Sequence, residues 1–204
     1  MADAKLVMKL RAQTGAGIID SKQALEEAGD DIEKAIEILK KKGALKAAKK
    51  IGERSTAEGV VASYVHHTRK LCAMVEVQCE TDFVARNEDF IALANDLAMQ
   101  VAAINPEFVS PETVPPEFLS KQREMFTAEI AGESKPEEIK AKIIEGKMQK
   151  WFSDVCLTKQ AFFKDEDKTI EGLITESIAK MGEKIVVVRM ARFEMSPAPA
   201  AAAE

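Results

Sequence analysis

The chain has 204 residues, 46% of them hydrophobic and 31% charged, a length and mixture that bury a sizeable core and exclude a globally disordered polymer. Its formal net charge of -5 excludes a uniformly basic nucleic-acid coat, and no uncharged apolar run approaches the roughly 20 residues that cross a bilayer. One moderate domain with a small accessory module is the expectation.

From Asp3 to Lys42 apolar residues recur at helical spacing in three bursts: Leu6, Val7 and Leu10; Ile19, Ala24, Leu25 and Ala28; Ile32, Ala35, Ile36 and Leu39. Gly15-Ala16-Gly17 separates the first two, and Gly29-Asp30-Asp31 supplies a helix-ending glycine and an aspartate cap for the third. Residues 1–43 therefore read as a three-helix module, and a core of roughly forty residues is marginal unless it docks onto something else.

Residues 1–55 carry 12 Lys+Arg against 9 Asp+Glu, and the remainder 17 against 25. Lys40, Lys41, Lys42, Lys46, Lys49, Lys50 and Arg54, opposed only by Glu53, create this asymmetry. No aromatic residue interleaves to stack on bases, so residues 44–59 read as a solvated basic helical linker, with RNA or ribosome contact as the alternative.

Val60 to His66 and Leu71 to Cys79 read as strands joined by a polar connection. Ala73, Val75, Val77 and Cys79 share one face of the second strand, and Met74, Glu76 and Gln78 the other. Cys72 and Cys79 fall on opposite faces, a poor metal pair, and Cys79 reads as a buried structural thiol. Three cysteines without a Cys-x-x-Cys pair favour a reducing compartment. The opening Met1-Ala2-Asp3-Ala4-Lys5 lacks the layout of a secretory signal, so a soluble protein of the cytoplasm, or of an organelle matrix, is expected. His66 and His67 raise a metal or acid–base reading, but successive strand residues point oppositely, which favours an exposed turn over convergent rings. No phosphate-cradling glycine loop and no Ser/His/Asp or Cys/His arrangement is recognisable, so neither catalysis nor a cofactor is expected.

Thr81-Asp82-Phe83-Val84 follows the second strand and reads as a turn that places a carboxylate beside a large apolar ring. On the residues alone, Phe83 either folds inward or is presented to a partner. Asn87 caps the next helix, with Glu88 and Asp89 in its first turn and Phe90, Leu93, Ala94, Leu97, Ala98 and Val101 as a stripe facing the sheet. Pro116 opens a helix ending near Gly132, and a further helical stretch begins at Pro136. Its apolar stripe, continuing to Phe162 and Phe163, is either core or part of a helical projection. Thr169 caps a final helix closed by Gly182, and Ile185 to Phe193 is a β-branched strand suited to a central position. Residues 195–204 form a low-complexity tail.

The blocks Lys9-Leu10-Arg11, Thr14-Gly15-Ala16-Gly17, Asp20-x-Lys22-x-Ala24-Leu25-Glu26, Asp31-Ile32-Glu33-Lys34-Ala35 and Gly43 to Lys50, then Thr81-Asp82-Phe83-Val84, Gly146-Lys147-Met148, Lys159-Gln160-Ala161-Phe162 and Asp165 through Phe193, occur in one order. Over nearly all of residues 3–194 this pattern resembles the elongation factor Ts family. The resemblance implies an α+β fold: an N-terminal three-helix (UBA-like) module, a linker, and over residues 60–194 an antiparallel three-stranded sheet packed with helices and a helical hairpin at about 135–165. It implies a guanine-nucleotide exchange factor, not an enzyme, for elongation factor Tu, for which no direct nucleic-acid binding is required, and no membrane partner is expected. Ile18, Ile19, Asp20 and Lys22 would dock on the partner's GTPase domain. Thr81, Asp82, Phe83 and Val84 would form a wedge near its magnesium site. Long family members repeat the sheet subdomain, whereas this chain has room for one copy, which implies a homodimer with the strand Ile185 to Phe193, or its neighbours, near the contact.

Overall fold

The structure, a computed structural model, describes residues 3–53, 55–132 and 135–196, with side chains throughout except at 44–53. The chain divides into two compact units, one of Met1–Val60, Val77–Leu93 and Gly172–Val186, the other of Val61–Glu76, Ala94–Glu171 and Val187–Glu204. The fold is α+β, as expected, with three N-terminal helices followed by a three-stranded antiparallel sheet packed with helices.

In the first unit, α1 (Ala4–Thr14), α2 (Ile18–Ala28) and α3 (Ile32–Glu53) bury Val7, Leu10, Ala24, Leu25 and Ala35 together. The boundaries follow local chemistry. The Asp3 carboxylate accepts from the Lys5 N–H at 3.0 Å, and α1 ends at Gly15 with φ 67°, a left-handed conformation that glycine adopts without a Cβ penalty. Asp31 accepts from the N–H groups of Glu33 and Lys34 at 3.0 and 3.2 Å, and the Lys34 N–H is the leading cause holding its carboxyl below the ordinary range. The third helix continues to Glu53, beyond the module's expected end at residue 43, so that the linker expected over 44–59 is helical as far as Glu53, irregular over 55–57 and already part of a strand from Glu58. Lys42 pairs with Glu27 at 2.6 Å, while the side chains of Lys46, Lys49, Lys50 and Arg54 lie outside the described residues.

The strands β1 (Glu58–Val65), β2 (Leu71–Cys79) and β5 (Val186–Glu194) pair in the order β1-β2-β5. Ala73, Val75, Val77 and Cys79 are buried on one face of β2, as its alternation predicts. The β-branched run of β5 does not take the central position expected of it. It forms an edge, with Val187 its one buried member, and β2, with its stricter alternation, lies in the middle. After the short helix α4 (Asp82–Ala85), α5 (Glu88–Ile104) buries Phe90, Leu93, Ala94, Leu97, Ala98 and Val101, the whole predicted stripe. Within the second unit, Arg192 of β5 donates to the Ala102 carbonyl of α5 at 3.1 Å.

In the second unit, α6 (Pro116–Ile130) packs with α7 (Glu137–Val155), burying Ile130 and Met148. Arg123 reaches Glu145 at 3.5 Å, and Lys147 pairs with Glu129. The helical pair thus comprises α6 with α7 rather than a hairpin over residues 135–165. The end of that range instead forms a small antiparallel hairpin, β3 (Ala161–Phe162) with β4 (Asp165–Thr169). Buried Gln100 anchors it, donating to Gln160 Oε1 at 3.2 Å and the Ala161 carbonyl at 3.0 Å, and accepting from the Phe163 N–H at 3.0 Å. The final helix, α8 (Ile170–Met181), precedes Gly182, whose φ is 79°. No described helix is long and apolar enough to cross a membrane.

Candidate functional site: an exposed Thr-Asp-Phe-Val turn

Where β2 ends, the buried Cys79 thiol donates to the Thr81 carbonyl at 3.2 Å. Burial, reinforced by the nearby Glu183 carboxylate, pushes this thiol up to about 11. The sequence predicts a plain turn here, but the chain forms one helical turn, α4. Thr81 is its N-cap, with the hydroxyl accepting from the Val84 N–H at 3.4 Å. Asp82 sits in the first turn, where a helix dipole favours an acid, and pairs with Arg86 at 3.2 Å.

Ala85 is the buried residue of this turn. Residues two apart on an α-helix point about 200° away from each other, so an inward Ala85 swings Phe83 outward. Phe83 is 83% exposed, which decides the question that the residues alone left open. A phenylalanine ring held almost wholly in water is what a partner pocket would bury, and Val84 beside it is half-buried.

The second group of expected contact residues opens α2 directly after the Gly15-Ala16-Gly17 turn. Ile18 is 56% and Ile19 74% exposed, Lys22 is exposed and Asp20 half-buried, while Ser21, Ala24 and Leu25 face inward. Both groups belong to the same compact unit. The end of α8 touches the surroundings of each. The Lys180 stem lies 3.5 Å from the position a Cβ on Gly15 would take, and its ammonium pairs with Asp89 at 2.7 Å. Glu183 accepts from the Thr81 hydroxyl at 2.6 Å. Neither Lys180 nor Glu183 stands out in the sequence, because their partners lie far away along the chain.

The other candidate groups are placed differently. His66 and His67 lie beyond the end of β1 and bring their ring centroids within 4.1 Å. The expectation that adjacent residues point apart does not hold there, because the strand alternation stops at Val65. The Nδ1 of His66 is 2.8 Å from the Thr68 hydroxyl. Among the described residues no group of three or more His, Cys, Asp or Glu side chains could hold a metal ion. All three cysteines are free, with Cys79 and Cys156 buried and Cys72 half-buried.

Comparison with known proteins gives a consistent result. A family model described as Elongation factor TS matches residues 4–197. The elongation factor Ts of Desulforamulus reducens is 52% identical over 192 residues, covering 94% of this chain and 88% of that protein. That of Thermosipho melanesiensis is 51% identical over 193 residues, covering 95% and 98%. That of Syntrophomonas wolfei is 50% identical over 195 residues, covering 96% and 91%. The chain belongs to the elongation factor Ts family, whose role is in the elongation phase of protein biosynthesis.

Proposed function

From this membership we propose that the protein is a guanine-nucleotide exchange factor that binds elongation factor Tu–GDP and promotes GDP release without itself being an enzyme. The observation that carries the reading is the 83% exposure of Phe83 on a turn held at its base by Thr81 and Glu183. In this reading Ile18, Ile19, Asp20 and Lys22 dock on the GTPase domain, and Thr81, Asp82, Phe83 and Val84 enter beside the magnesium site.

The physical logic is that of a wedge. A GTPase retains GDP because magnesium neutralises phosphate charge and backbone amides cradle the phosphates. An intruding ring that displaces those elements weakens nucleotide binding, and linkage requires the nucleotide to weaken the wedge by the same free energy. Burying the Phe83 ring supplies about 2 kcal/mol towards holding the wedge in place. Asp82, at the base of the ring, orients the turn or meets a basic or N–H group of the partner.

The protein works as a homodimer in this account. Val61, Val65, Met74 and Phe193 are exposed on the three sheet strands, and β5 is an edge strand, so a second copy has apolar strand surface to cover. Sedimentation at micromolar concentration reads a dimer mass, and a monomer with full activity contradicts it. The site of action is the cytoplasm, and direct nucleic-acid contact is not required. The test of function is release of fluorescent GDP from elongation factor Tu with and without the protein. Acceleration that saturates with the added chain supports the reading, and an unchanged rate overturns it.

A further inference from the structure

We propose that Glu183 is the positioning residue of the exchange turn and that, together with Glu80, it forms a two-carboxylate clamp fixing the direction in which Phe83 is presented. The inference rests on the exchange reading above. Glu183 stands one residue beyond Gly182, which follows the C-terminus of α8. Its Oε2 accepts from the N–H groups of Glu80 and Thr81, each at 3.1 Å, and its Oε1 accepts from the Thr81 hydroxyl at 2.6 Å. In return, Glu80 Oε1 accepts from the Lys184 N–H at 2.6 Å. Each segment's carboxylate thus receives a backbone amide of the other, and hydrogen bonds to an ionised acceptor are about twice as strong as neutral ones.

The need for such a clamp follows from the size of α4. One turn of helix makes too few internal hydrogen bonds to hold its own direction. Phe83 lies in water and gains no packing that would steer it. The direction of the ring is therefore set where the turn begins, at Thr81. The Thr81 hydroxyl serves both sides of the joint, donating to Glu183 and accepting from the Val84 N–H. Rotating the 80–81 backbone would redirect Asp82 and Phe83 together, and Glu183 holds that backbone at two amides and, through the hydroxyl, at the Thr81 side chain. Rigid presentation reduces the ordering cost that a mobile turn would meet on entering a partner.

The test uses the full chain and the maximal rate of fluorescent GDP release from elongation factor Tu at saturating factor. Glu183→Ala removes both acceptor oxygens and the three hydrogen bonds they take, and is expected to slow stimulated release about tenfold or more. Glu183→Gln keeps a carbonyl oxygen for the two amides and an NH2 group for the Thr81 hydroxyl, and is expected to stay within about twofold of the parent. In a Phe83→Ala background, Glu183→Ala is expected to add less than about twofold, because two changes on one route are not additive. Amide exchange at Glu80 and Thr81 accelerates in Glu183→Ala. Thr81→Val, which removes one of the three donors and leaves Glu183 in place, falls between parent and Glu183→Ala. A parent rate for Glu183→Ala and Thr81→Val, or an equal loss from Glu183→Ala with and without the Phe83 ring, overturns the positioning role while leaving the exchange function intact. A parent rate for Phe83→Ala alone overturns the wedge role of Phe83 and this inference with it, whereas failure of the unaltered chain to speed GDP release overturns the exchange reading.

Discussion

Asp82 and Arg86 close an ion pair of 3.2 Å across the single helical turn that carries Phe83. The Arg86 side chain is 82% exposed, and exposed pairs of this kind contribute only about 0–1 kcal/mol. The pair therefore holds the Asp82 carboxylate in place without committing it, and a partner can take the carboxylate over at little cost. Arg86→Ala is expected to leave stimulated GDP release within about twofold of the parent. Asp82→Ala, which removes both the pair and the group offered to the partner, slows it further. Equal losses in the two variants would show that Asp82 acts through Arg86.

Next to the turn, Gly59 of β1 lies so close to β2 that a Cβ added there would stand 2.2 Å from the Val77 carbonyl oxygen and 2.8 Å from the Gln78 Cα. Both are backbone atoms and cannot rotate away. Gly59→Ala is expected to destabilise the fold by about 2 kcal/mol or more, read as a lower urea midpoint. An unchanged midpoint contradicts this close approach of the strands.

Gln100 is fully buried and makes two hydrogen bonds to the β3–β4 hairpin and a third to Gln160 just before it. Gln100→Leu fits the space but leaves the Phe163 N–H and the Ala161 carbonyl without this partner, at a cost of about 3 kcal/mol. Thermal unfolding is the measurement, and a variant that melts with the parent contradicts the anchoring role.

Burial pushes the Cys79 and Cys156 thiols up to about 11, with Glu183 reinforcing the first and Glu112 the second. Both stay protonated near neutral pH, so a thiol-specific reagent at pH 8 is expected to label half-buried Cys72 quickly and the other two slowly. The folded state holds these protons more tightly than the unfolded chain, whose thiols titrate near 9.0. The corresponding stability is complete below pH 9 and is lost as the pH rises through about 11. Three equally fast thiols contradict the burial.

The N-terminal module and α5 were legible in the sequence because their signals are local. Gly15, Gly29 and Asp31 bound the first helices, and the Phe90 to Val101 stripe lies on one helix. The Thr81–Val84 turn was legible as a place but not as a geometry. Phe83 beside a strand end is compatible with either direction, and its exposure depends on Ala85 turning inward. Glu183 was invisible because its hydrogen bond to the Thr81 amide spans 102 residues, and no local pattern marks an acid that caps a distant turn. The β5 strand misled for a related reason, since a β-branched run reports strand propensity and not which neighbours the strand will have. The two-residue β3 is too short to carry an alternation, so Phe162 and Phe163 read as an extension of the preceding helix. The close, tilted approach of the two histidine rings depended on where β1 stops, and strand ends are poorly marked by alternation alone.

The central claim is that Phe83 is the working tip of an exchange factor. Because the ring is 83% exposed, Phe83→Ala leaves no cavity, and its unfolding free energy is expected to stay within about 0.5 kcal/mol of the parent. Losing about 2 kcal/mol of apolar burial in the complex slows stimulated GDP release from elongation factor Tu about tenfold or more. A stably folded Phe83→Ala protein that stimulates GDP release from elongation factor Tu as fast as the parent contradicts the account.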